Sequence, residues 1–184
     1  MDIKQLSVAA CAVLALAGCS NTDEEEVKYK GESLFQPMPL PEGSWERFTH
    51  IYPDAKRVTW GRVGKKDVLE VVTFPKQKRG DLEKYRAFHD QKLEQACNSF
   101  SSKLFDTVVR NGYTEMLWQT SCLDSESEVA RFSFHLSVSG NDAFYVLSRK
   151  WVEAPTEASK NAWLDYFSEV YVCDDRLPQS PCED

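Results

Sequence analysis

Long apolar runs are scarce in this sequence. The longest, Leu6–Leu16, spans eleven residues; as a helix it would rise about 16 Å, half of the roughly 30 Å hydrocarbon core, so it is too short for a stable membrane span. Histidine is scarce too, with three in 184 residues (His50, His89 and His135). They are far apart, and neither H-x-x-x-H nor C-x-x-C occurs, so the usual metal-ligand spacings are missing. Eight glycines and eight prolines exclude collagen-like or low-complexity character. G-x-S-x-G, P-loop, G-x-G-x-x-G and H-E-x-x-H patterns are all absent. The expectation is therefore a noncatalytic protein without cofactor or metal. Positive charge is in deficit, with 22 Lys and Arg against 29 Asp and Glu and a formal net charge of −7. A general nucleic-acid grip needs clustered cations, and this balance argues against one.

What is present begins with the leader. Met1–Cys19 reads MDIKQLSVAACAVLALAGC: a short n-region with Lys4, an apolar segment, then small residues. This pattern fits a signal h-region. Leu16-Ala17-Gly18-Cys19 resembles the lipobox of bacterial lipoproteins. The resemblance implies cleavage before Cys19, a diacylglyceryl thioether on its thiol and acylation of its new amino group. Three acyl chains exceed the two signals needed for permanent anchoring. Ser20 stands where the family pattern places an inner-membrane retention aspartate, which implies the outer membrane, with the domain facing the periplasm. Ordinary secretory cleavage near Ala17 is the alternative. The expected organisation is a signal peptide over 1–18, an acylated N-terminus and flexible tether over 19–43, and a single periplasmic domain over 44–184. The tether is acidic, then Pro- and Gly-rich; a flexible segment of that length has an end-to-end distance of about 25–30 Å. Leu34, Phe35, Met38 and Leu40 could instead lie across the domain.

Six cysteines occur, at 11, 19, 97, 122, 173 and 182. Cys11 leaves with the signal and Cys19 is the lipidation site. The remaining four, in an exported chain, read as two disulfides. Cys173 and Cys182 flank a short segment with two prolines, where local closure is easiest. That leaves Cys97 with Cys122, both expected to point into a helix–sheet interface.

In the domain, Trp45–Asp54 reads as a short helix or an irregular lead-in. Arg57–Val63, a Gly64-Lys65-Lys66 turn and Val68–Phe74 read as a hairpin. Asp81 is a natural N-cap, followed by a helical stripe through Leu82, Tyr85, His89, Leu93, Ala96, Cys97, Phe100 and Leu104, with a break near Asn98-Ser99 left open. Asn111-Gly112 marks a turn. Met116, Trp118, Thr120 and Cys122 alternate as a half-buried strand, and Ala130–Val138 alternates more cleanly. After Gly140-Asn141-Asp142 comes Ala143–Trp151, then an amphipathic helix over Thr156–Val170. The order predicts an α+β domain, an antiparallel sheet of about five strands flanked by two helices.

This order across residues 55–172 resembles the Mog1/PsbP-like fold. The segments NGYTEMLWQTSC (111–122), GNDAFYVLSRKW (140–151) and WLDYFSEVYVCD (163–174) resemble an uncharacterised group of proteobacterial lipoproteins. That resemblance implies the same anchored, disulfide-bonded architecture and no particular activity.

Candidate binding residues are few. Lys76, Lys78 and Arg79 form the densest basic cluster, with Lys65 and Lys66 in a second turn that could face the same way toward anionic headgroups; a solvated loop is the plainer reading. Among the five tryptophans, Trp60 and Trp151 are flanked by charges and are the candidates for an exposed edge, although core packing suits most of them. His89 reads as an interface histidine, His135 as solvated. The leading function is a noncatalytic outer-membrane lipoprotein whose periplasmic domain binds another envelope component. The alternatives are an immunity or inhibitor lipoprotein against a periplasm-acting toxin, its acidic charge suiting a basic surface, and a small-ligand carrier. Oligomeric state is not legible.

Overall fold

The computed structural model describes residues 31–75, 77, 80–123, 130–178 and 180–182. In chain order the elements are β1 (Glu32–Phe35), β2 (Trp45–Ile51), β3 (Lys56–Arg62), β4 (Val68–Phe74), α1 (Leu82–Ala96), β5 (Ser99–Arg110), β6 (Tyr113–Leu123), β7 (Ala130–Ser139), β8 (Phe144–Trp151), α2 (Glu157–Glu169) and β9 (Tyr171–Asp174). Seven strands form the main sheet in the order β2-β3-β4-β8-β7-β6-β5, every neighbouring pair antiparallel; β1 and β9 make a separate two-stranded ribbon. The α+β class with two helices holds. The sheet of about five strands is too small by two.

Both missed strands have a physical explanation. WERFTHI was ambiguous by itself, but it pairs residue for residue with β3 from Trp45↔Arg62 to Ile51↔Lys56. Pairing of this kind outweighs weak local preference. The helical stripe after Asp81 ends at Ala96, and Phe100 and Leu104 belong instead to β5. Cys97 turns the chain at the helix C-cap, and Asn98 N donates to Leu123 O to start the β5–β6 ladder. That hairpin closes at Asn111 and Gly112, both left-handed at φ 53° and 84°, the conformation two-residue hairpin turns need.

The side-chain period of two separates the sheet faces. On one face, Phe134, Leu136, Val138, Tyr145, Leu147 and Trp151 pack with Trp60, Leu69 and Val71 against Trp163, Tyr166 and Phe167 of α2. Full burial of each such side chain stabilises by about 1.5–3 kcal/mol. The other face is smaller: Met116, Trp118, Phe144 and Val146 meet Leu82 of α1. Asp81 caps α1 by accepting from Lys84 N, and Thr156 caps α2 by accepting from Ser159 N. The stripe on α1 faces the sheet, yet only Leu82 is fully buried.

The tether expected to run to residue 43 is shorter than that. Glu32–Phe35 forms β1 against β9, Phe35 stacks on Tyr171 at 4.9 Å, and Leu40 is buried in the α2-side core. Apolar side chains that can reach a core do not stay in solvent; Met38 alone of that group remains largely exposed. Residues 1–30, which hold the expected signal peptide, Cys19 and the start of the expected tether, lie outside the described residues.

Candidate functional site

One end of the main sheet carries a groove of about 1150 Å³. Register explains its position. Val68 pairs with Lys150, so the β3–β4 turn and the exit of β8 lie side by side. Gly64, left-handed at φ 73°, allows that turn and projects Lys65 and Lys66 to the rim. Trp151 and the Val152–Pro155 linker line the groove beside it, followed by Thr156 and Ser159 at the start of α2. Glu42, Arg62, Asp67, Arg131 and Glu153 complete the polar lining.

Behind the groove lies a buried cation. Arg149 has no exposed surface, and its guanidinium carbon stands 4.4, 4.8 and 5.0 Å from the rings of Trp151, Trp163 and Trp45. Its Nη2 donates to Asp67 Oδ2 at 3.0 Å and lies 3.8 Å from Glu42 Oε2, while Nη1 donates to the Lys150 carbonyl. Arg62 Nη1 pairs with the same two carboxylates, at 3.3 and 3.7 Å. Burial pushes the Arg149 pKa down, and Asp67 and Glu42 oppose that shift. Burial would raise the Glu42 carboxyl, but hydrogen bonds from Ser159 and Trp163, with Arg62 and Arg149 nearby, hold it below its usual range. Glu42 adopts φ 62°, a left-handed conformation uncommon outside glycine; its bond from Trp163 Nε1 at 3.0 Å fixes it there. Arg149 Nε and Trp151 Nε1 are buried without a hydrogen-bond partner among the described residues.

No protein-family model matches the chain, and no curated protein matches it in sequence. One solved structure similar to it is that of PA94, a protein of unknown function from Pseudomonas aeruginosa. The two share 12% identity with a TM-score of 0.47, over 76% of this chain and 96% of that one.

The structure redistributes the residues singled out from sequence. Trp60 and Trp151 are not an exposed edge: they are 7% and 5% exposed, both on the α2 face, because their strand positions alternate in phase with the core. Trp151 still forms part of the groove wall. Lys76, Lys78 and Arg79 lie outside the described residues. Lys65 and Lys66 are exposed and line the groove. Cys97–Cys122 and Cys173–Cys182 are both bonded, as the spacing argument expected.

His135, expected from sequence to be solvated, is buried. It sits on the polar side of β7, but α1 covers that side and leaves it 1% exposed. Its Nε2 is 3.1 Å from Thr120 Oγ1 and its Nδ1 is 2.9 Å from Ser148 Oγ. Trp118 stacks on it at 4.8 Å, and His89 approaches edge-on at 4.5 Å. Burial, with His89 and Lys150 adding to it, drives the His135 pKa well below its ordinary value. His89 is the interface histidine expected; burial lowers its pKa and Asp90 partly restores it. Ser148 and His135 have hydroxyl–imidazole geometry, yet both are buried under α1. In the groove, by contrast, the hydroxyls come from Thr156 and Ser159, beside charged side chains and the Trp151 ring.

Proposed function

We propose that this chain is a noncatalytic lipoprotein, anchored in the outer membrane through Cys19, whose periplasmic domain binds another envelope component in the groove at the end of its sheet. The observation that carries the reading is the groove's position relative to Gly31, the first described residue. The first described residues lie at the β7–β8 turn, where Glu32 accepts from the N–H groups of Asn141 and Asp142. Strand β8 runs from that turn to Trp151, so the groove opens at the far end of the sheet from the point where the chain joins it. Eight residues of strand separate the two by about 26 Å. A domain held at one end and concave at the other is suited to presenting the groove away from the bilayer, and anchoring raises the local concentration of an envelope partner.

The anchor half is tested by intact mass. Loss of residues 1–18 with added acyl mass is expected, and an unmodified Cys19 thiol in the processed protein contradicts it. Ser20→Asp is expected to shift the protein to the inner membrane in a density gradient. The binding half is tested by in-cell crosslinking from groove positions.

A further inference from the structure

Resting on the reading of the groove as the binding site, we infer that it takes a ligand with a phosphate-class oxyanion attached to an apolar body. Two features of the lining support this. Glu42 and Asp67 are already neutralised by Arg62 and Arg149, at 3.0–3.8 Å. Of the other charged lining residues, Lys65, Lys66 and Glu153 carry the balance of charge, since Arg131 is itself engaged. A domain with an overall excess of acid thus has a locally cationic rim, and the exposed ammonium groups of Lys65 and Lys66 sit on one short turn. Trp151, Val152, Ala154 and Pro155 supply an apolar part of the same lining. Helix α2 begins at the same lining, where Glu157 in its first turn offsets the positive dipole end, so the lysines are the cations the groove offers. An inorganic ion would use only the cations; a purely apolar molecule would leave the two lysines without a role.

The phosphate could be the headgroup of a lipid or part of a soluble phosphoester, and the experiment separates the two. The full chain in neutral detergent is titrated calorimetrically with dihexanoyl phosphatidic acid, with phenyl phosphate and with uncharged dihexanoylglycerol. Saturable binding of a phosphate probe is expected, with none for dihexanoylglycerol. Binding of phenyl phosphate within about tenfold of the lipid identifies a soluble phosphoester as the source; binding of the lipid alone identifies a headgroup. The double variant Lys65→Glu/Lys66→Glu is expected to weaken binding by at least about tenfold. Both residues lie in an exposed turn, so the fold should survive. Lys92→Glu, on α1, is expected to change nothing. Absence of saturable binding by both phosphate probes, undiminished binding in the double variant, or equal binding of dihexanoylglycerol overturns the inference. If groove positions still crosslink a partner in cells while both phosphate probes fail, the ligand class is wrong and the binding-module reading survives.

Discussion

Asp67 Oδ2 accepts from Arg149 Nη2 at 3.0 Å, and the arginine has no exposed surface. The pair holds the groove floor to the tryptophan cluster of the α2 face. Asp67→Ala removes the nearer carboxylate and leaves a buried guanidinium with only Glu42, at 3.8 Å. The expected loss is about 3–5 kcal/mol. Arg149→Met keeps most of the volume and leaves Asp67 with Arg62, so its cost is expected to be smaller. Urea unfolding of both variants checks the order; a larger loss for Arg149→Met would mean that stacking, not charge pairing, dominates.

The two disulfides should differ in worth. Cys97–Cys122 closes 25 residues and ties the end of α1 to β6, while Cys173–Cys182 closes nine near the C-terminus. On loop entropy, Cys97→Ala/Cys122→Ala is expected to cost roughly 3 kcal/mol, about 1 kcal/mol more than the other pair. Calorimetry under non-reducing conditions gives the ranking, and a larger cost for the C-terminal pair reverses it.

His135 makes stability depend on acid. Its folded pKa is depressed, chiefly by burial, so the folded state disfavours a proton that the unfolded chain binds below about pH 6.5. Its contribution is fully present above that pH and is lost as pH falls below it. His89, Lys150 and Asp90 are the charged or titratable neighbours that set the local field. His135→Gln retains hydrogen bonding to Thr120 and Ser148 without the titration. The variant is expected to have a flatter stability profile between pH 5 and 7, measured by urea unfolding. An unchanged acid slope would assign it elsewhere.

Glu115 acts with the opposite sign. It is 2% exposed, and burial raises its pKa to about 7 despite Arg110 at 3.6 Å. Stability from this group is complete below about pH 4.5 and is lost as pH rises through about 7. Glu115→Gln is expected to stabilise at pH 8, on the order of 2 kcal/mol, and to have little effect at pH 4.5. Equal effects at both values would show that Arg110 controls the carboxylate.

Much of the architecture was legible where local chemistry decides it. The Gly64 turn, the Asp81 cap, the start of α2 near Thr156, the Asn111-Gly112 hairpin and the alternation of Met116, Trp118, Thr120 and Cys122 all depend on residues within a few positions of one another. What escaped depends on distant partners. β2 and β9 are strands because β3 and β1 pair with them. Arg149 lies between Ser148 and Lys150 and reads as surface, although it alternates in phase with Tyr145, Leu147 and Trp151, which was the available signal. Its tryptophan neighbours come from β2, β8 and α2. His135 is buried because α1 crosses the polar side of β7, and that packing has no local sequence signature. The groove likewise depends on the register that brings Asp67 beside Trp151.

The most direct measurement is position-specific photocrosslinking in living cells, with the crosslinking residue at Lys66 on the groove rim or at Lys92 on α1, followed by mass spectrometry of the adducts. The account expects one envelope component captured from Lys66, lost in Cys19→Ala cells where the anchor is missing, and absent from Lys92. Indistinguishable adducts from the two positions, or none from the groove in anchored protein, would contradict it.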